Sequence, residues 1–150
     1  MISTIISEWG RQAAGFFDSM GVDGAEDPVS IGFVCEHRAR GKSHKTMQKM
    51  LSRAGWSSIV RPATKTEASA SGGVMIVFRR HLAVSPVSKF PYQSPGRHVL
   101  GKIRLKGTEV IIGAVYGHSG AGASGDNLAF LKELGAGLKG GGMPFILAGV

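Results

Sequence analysis

Apolar runs of strand length alternate along this chain with stretches of helical period, and that alternation most narrows its fold. "VSIGFVCE" (29–36), "WSSIV" (56–60), "GGVMIVF" (72–78) and "PFILAG" (144–149) are short, apolar and bounded by turn or polar residues, as strands are. In the first, Val29, Ile31, Phe33 and Cys35 alternate on one face and the strand ends at Glu36. "HVLGKIRLKGTEVIIGAVYG" (98–117) reads as a hairpin turning at Lys106-Gly107. Helical spacing recurs three times. Trp9, Ala13, Phe16, Phe17 and Met20 share a face, and Gly21 suits the stop. Ser43 is the expected N-cap of "SHKTMQKMLSRAG", whose Met47, Met50, Leu51 and Ala54 face the core and whose Gly55 closes it. "DNLAFLKELGAGL" gives a last helix capped by Asp126, followed by a glycine-rich loop. Helices interleaved with strands and a hairpin predict a layered α/β or α+β domain.

Charge divides the chain unevenly. Residues 1–36 carry one basic against six acidic side chains, and residues 37–150 carry 17 against four, so the formal +8 conceals a segment near +13. Such a segment fits a polyanionic partner such as nucleic acid, an anionic membrane surface, or merely a solvated basic face. Cys35 stands alone and makes no internal disulfide. No apolar run of membrane-spanning length occurs, and Glu8 breaks any signal-like start; the expectation is an intracellular protein, nuclear or cytoplasmic, without membrane insertion.

Most tempting motifs fail on chemistry. "GKS" at 41–43 lies between strand and helix, but Glu36 stands where a phosphate-binding loop needs its first glycine. "GAGASG" (120–125) and "GAGLKG" (135–140) both satisfy the dinucleotide pattern, yet no carboxylate follows Glu133 to hold a ribose. "GHSGA" (117–121) departs from the serine-hydrolase elbow at Ala121, and no histidine follows Ser119.

The ordered series of strand ends survives: "VCEHR" with Glu36 at its tip, "AVYGHS" with Tyr116, and "FILAGV", with "SASGGVMIVFRR" between the first two. In this order the sequence resembles the endonuclease/exonuclease/phosphatase family, the DNase I-like fold, nearest the apurinic-type and non-LTR retrotransposon endonuclease domains. In that family a strand ending in Gln-Glu supplies a metal-binding glutamate, and Cys-Glu-His carries Glu36 to that place. Gly72-Gly73 matches its glycine-pair strand, Val115-Tyr116 its Val-Tyr strand, and Asn127 the asparagine leading its helix. The match runs over 29–150. The family has aspartate after the glycine of its last matched strand, where this chain has Val150. It has a metal-site asparagine near its N-terminus, where "STIISEW" offers Ile5 or Ile6.

The resemblance implies a partial four-layer α/β sandwich, a mixed β-sheet with flanking helices, formed by one truncated domain over 1–150. It implies Mg²⁺-dependent phosphodiester hydrolysis of nucleic acid, with Glu36 as a metal ligand, Tyr116 as a catalytic donor to phosphate oxygen and His118 within reach of a phosphate. So many positions of the catalytic set depart from the pattern that hydrolysis by this chain is not expected. The alternative is a non-catalytic nucleic-acid-binding remnant. Near the cleft, Arg38, Lys42, Lys45 and Lys49, part of a basic run without an acid, are expected to contact backbone phosphates. The remaining readings are bland ones: Glu36 as a solvated carboxylate, Tyr116 as core, and His37, His44, His81 and His98 as surface residues. Half of such a sandwich is expected to expose the sheet face its partner would cover, and to self-associate there.

Overall fold

The computed structural model describes residues 2–5, 15–18, 20, 29–67, 69–87, 96–118 and 125–149. Two four-stranded mixed sheets form its centre. The first runs β1 (Ile2–Ile5), β2 (Ile31–Cys35), β6 (Val74–Arg79), β3 (Trp56–Arg61), with β1 parallel to β2 and the other pairs antiparallel. The second runs β10 (Phe145–Gly149), β9 (Thr108–Val115), β8 (His98–Leu105), β7 (Val84–Pro86), with β10 parallel to β9. A two-stranded piece, β4 (Thr64–Lys65) with β5 (Ala70–Ser71), occupies the polar stretch between β3 and β6.

Alternation explains the stacking. Ile31, Phe33 and Cys35 of β2 and Val74, Ile76 and Phe78 of β6 point inward, against Val99 and Ile103 of β8 and Val110, Ile112 and Ala114 of β9. The intervening residues point outward and are covered too. Val34, Met75 and Val77 lie under Met47 and Leu51 of α1 (Gly41–Arg53), together with Phe17 and Trp56. Leu100, Ile111 and Val115 lie under Phe130, Leu134 and Leu138 of α2 (Gly125–Gly140). Strands buried on both faces read as unbroken apolar runs, which is why β2, β6 and β9 stand out in the sequence. The result is a helix–sheet–sheet–helix sandwich, the expected fold class.

Three local expectations need correction. Ser43 is not the N-cap: Arg40 is, and the Ser43 hydroxyl, one turn in, accepts from the Arg40 amide at 3.0 Å. The last helix runs past the expected Leu138 to Gly140, so the glycine-rich loop starts later than expected; burial of Leu134 and Leu138 outweighs weak glycine propensity. The open sheet face is an open edge instead: the inner faces cover each other, and β10, hydrogen-bonded to β9 alone among the described residues, ends its sheet. The hairpin turns where expected, with Lys106 (φ 48°) and Gly107 (φ 85°) in the left-handed region that a two-residue primed turn requires. Of the first predicted helix, only 15–18 are described as helical; Trp9 and Ala13 lie outside the described residues. No described helix is long and apolar enough to cross a membrane.

Candidate functional site

The ends of β2 and β9 and the starts of β6 and β8 meet at one rim of the sandwich. Immediately after β2 the backbone turns through Glu36 (φ 60°) and Arg38 (φ 52°), both left-handed and neither glycine, at a cost of roughly 1–2 kcal/mol each. Surrounding hydrogen bonds hold the turn. The His37 amide donates to Gly73 O at 3.2 Å and the Arg38 amide to Gly72 O at 3.1 Å. The His37 imidazole, fully buried, accepts from the Ala39 amide at Nδ1 (3.0 Å) and therefore donates from Nε2 to Arg61 O (3.2 Å). A side chain at Gly73 would meet that ring at 2.6 Å, so the glycine pair makes room for the histidine. Burial pushes the His37 pKa down to about 4. His37 is thus a structural clamp, not a surface residue, and His98 is buried as well; His44 is half-buried and His81 exposed.

The clamp turns the Glu36 carboxylate outward, 18% exposed, where Arg38 Nη2 donates to Oε1 at 2.7 Å. Tyr116, just past β9, is buried against the inner core, and its hydroxyl hydrogen-bonds to the same carboxylate. The Glu36 pKa lies below the ordinary glutamate value. The Arg38 hydrogen bond is the main cause; partial burial opposes it, and the Tyr116 hydrogen bond and the charges of Arg38 and Arg97 add to it.

Arg97 completes the rim. Its guanidinium lies 4.9 Å from the Tyr116 ring centroid and donates to Gly117 O at 2.8 Å, while the Tyr116 amide donates to Arg97 O at 2.8 Å. The buried Asn127 of α2 pins the next residue from both sides, donating to His118 O at 3.0 Å and accepting from the His118 amide at 2.5 Å. This fixes the half-buried His118 close in sequence and space to Tyr116. Cys35 is no nucleophile: its thiol donates to Val115 O at 3.3 Å, and burial raises its pKa to about 11.

The structure therefore brings Glu36, Arg38 and Tyr116 together and adds Arg97, which the sequence reading missed. Its only signal was a basic residue directly preceding a strand, in "GRHVL". Lys42, Lys45 and Lys49 continue along the exposed side of α1, spaced three and four apart and so sharing a face. Arg40 and Arg53 at the ends of this helix are exposed as well, and no acid lies in its first turn. β10 delivers Gly149 opposite Val115, one residue before Tyr116; Val150, like Ile6 and Ser119, lies outside the described residues.

Magnesium, which the resemblance implies, binds oxygen ligands, usually through one or two carboxylates with several waters. At this rim Glu36 supplies one carboxylate, already engaged by a guanidinium and a phenol. β1 places Ile5 opposite Cys35, an apolar residue in the register beside the tip. Among the described residues no three His, Cys, Asp or Glu gather in a metal-sized group. Among the described residues, then, the rim offers Mg²⁺ one carboxylate, and that carboxylate is already paired with Arg38.

No family model matches the sequence, and no curated protein does. Solved structures do. The 3′ phosphatase NExo from Neisseria, bound to a product DNA hairpin, aligns at TM-score 0.63 and 18% identity over 99% of this chain and 56% of its own. The endonuclease domain of TRAS1, a telomere-specific non-LTR retrotransposon, aligns at 0.58 and 14% over 99% and 58%. An AP endonuclease from Archaeoglobus fulgidus aligns at 0.55 and 16% over 81% and 46%. The chain spans about half the length of these structures. The likeness shows the fold: DNase I-like.

Proposed function

We propose that this chain binds the phosphate backbone of nucleic acid without hydrolysing it, using a DNase I-like fold as scaffold. The observation that carries this reading is the exposed face of Lys42, Lys45 and Lys49, which starts beside the Glu36 tip and has no acid on its helix to neutralise it. Three cations at that spacing present a ladder of charge to a polyanion, and phosphate contacts of this kind are independent of sequence. The solved structures of the same fold support nucleic acid as the ligand, since their names are those of enzymes acting on it.

Meeting of Glu36 and Tyr116 at one rim favours a second reading, a phosphodiesterase half-site that becomes competent only with groups this chain does not supply. In that reading Glu36 is the ligand, Tyr116 the donor and His118 the phosphate contact. The Arg38 pairing weighs against a hydrolytic role for the chain alone.

A salt titration of duplex DNA binding, followed by anisotropy, tests the first reading. Replacing Lys42, Lys45 and Lys49 by Ala together is expected to flatten the log–log salt slope by about 3 units, at ~0.9 for each phosphate no longer neutralised. A triple variant with the parent's affinity and slope assigns the lysines to solvent and defeats the proposal.

A further inference from the structure

At the rim, charge runs opposite to that of a cation site. Arg38 pairs directly with a single carboxylate, Arg97 lies over the neighbouring Tyr116 ring with its charge acting on that carboxylate, and Tyr116 adds a hydroxyl. Arg97 is held by Gly117 O and by the Tyr116 ring, and Arg38 by Glu36, so both positive groups are positioned before any ligand arrives. Arg38 is 46% exposed, and a guanidinium carries five donors in a planar fork, so it can meet a ligand from solvent while still holding Glu36. The turn that presents it is strained and clamped by His37, which keeps Arg38 and Glu36 in register.

We infer that Arg38 supplies in cis the positive charge that a divalent ion would bring to Glu36, making this rim a metal-independent docking site for a phosphate group. The carboxylate then serves to orient Arg38, not to hold metal. A phosphate oxygen approaching from solvent meets two charge-assisted donors, the kind of pairing for which guanidinium is best shaped. A divalent cation approaching the same carboxylate meets two like charges. The inference deepens the backbone-binding reading and rests on it for the ligand's source, but its metal independence can fail separately.

Two probes on the whole 150-residue chain test it, Mn²⁺ and inorganic phosphate, both read by ¹⁵N NMR. Mn²⁺ is expected to leave the Glu36 and His37 amides as sharp as the average of the chain, and selective broadening there overturns the inference. Phosphate is expected to shift the Arg38 and Arg97 Nε–H resonances equally with and without EDTA. Arg38→Ala is expected to weaken that binding about tenfold, the worth of one charge-assisted hydrogen bond, while Arg38→Lys keeps most of it. Arg38→Gln, which retains a donor to Glu36 but no charge, replaces Arg38→Ala if the latter misfolds. Phosphate shifts that are absent, that need Mg²⁺, or that survive Arg38→Gln unchanged each overturn it. An unchanged salt slope in the triple lysine variant would instead defeat the backbone-binding reading and leave the metal result standing.

Discussion

Glu36 and Arg38 form an ion pair at 2.7 Å across a turn in which both residues hold left-handed backbone. Side chains two apart on an extended strand would point the same way but stay separated; the turn brings them into contact. Because the Arg38 hydrogen bond is the main cause of the depressed Glu36 pKa, Arg38→Ala is expected to raise it toward the ordinary glutamate value. A carboxylate depressed in the fold stabilises it above the ordinary glutamate pKa, and this contribution fades as pH falls through the depressed value. A ¹³C-carboxyl titration of parent and variant measures the shift, and identical Glu36 titrations would contradict the pair.

The His37 pKa is lowered as well, for a different reason. Buried and neutral, it must gain a proton on unfolding at mildly acidic pH, where an unfolded histidine near 6.5 is charged and the folded one, near 4, is not. The unfolded state binds more protons between those values, so stability is full above about 6.5 and falls toward 4, by on the order of 3 kcal/mol for this group. Urea midpoints at pH 7.5 and 4.5 are expected to differ more for the parent than for His37→Asn. Loss of the clamp also costs the variant stability at pH 7.5. Equal pH sensitivity in both would mean that His37 is not the group responsible.

Both tips of the sandwich were legible because buried strands announce themselves: "VSIGFVC" and "EVIIGAV" are continuous apolar runs, and the residue after each must lie at a rim. The hairpin was legible for a similar reason, since Lys106-Gly107 can take the backbone angles of only a few turns. Ser43 misled because hydroxyls at N3 and at the N-cap both come after a polar loop, and only the hydrogen-bond partner tells them apart. The end of α2 was read two residues short, at Leu138, because glycine's propensity cost of about a kcal/mol is less than the gain from burying two leucines. His37 and Arg97 were out of reach for a deeper reason. His37 is defined by Gly73 and Arg61, and Arg97 by Tyr116 and Gly117, all distant in sequence, so nothing local marks either residue.

Hydrolysis is expected to be absent. Plasmid and abasic DNA incubated with the purified chain and Mg²⁺ should show no nicking above a Glu36→Ala control. Losing a general base alone costs ~10²–10⁴ in rate, and at this rim the described residues offer one carboxylate, already paired with Arg38. Nicking that depends on Mg²⁺ and disappears with Glu36→Ala would restore the hydrolytic reading and contradict the built-in cation.

The sheet edge carries the last prediction. β10 pairs through one side only among the described residues, and it presents Phe145 at 41% and Ile146 at 38% exposure, one on each face. An unpaired edge with apolar residues on both sides is a template for another strand, and natural edges avoid this with lysine or proline. β10 has neither within its span; Pro144 precedes it, and its carbonyl accepts from the Ile111 amide at 2.9 Å. The chain is therefore expected to associate with itself as its concentration rises, through this edge and not through a sheet face. Sedimentation velocity over a concentration series should show the shift, and Ile146→Lys should move the equilibrium toward monomer by placing a charge beside the pairing edge. Lys42→Ala, on the other outer layer of the sandwich, should not. Association that persists unchanged in Ile146→Lys would place the contact elsewhere on the molecule.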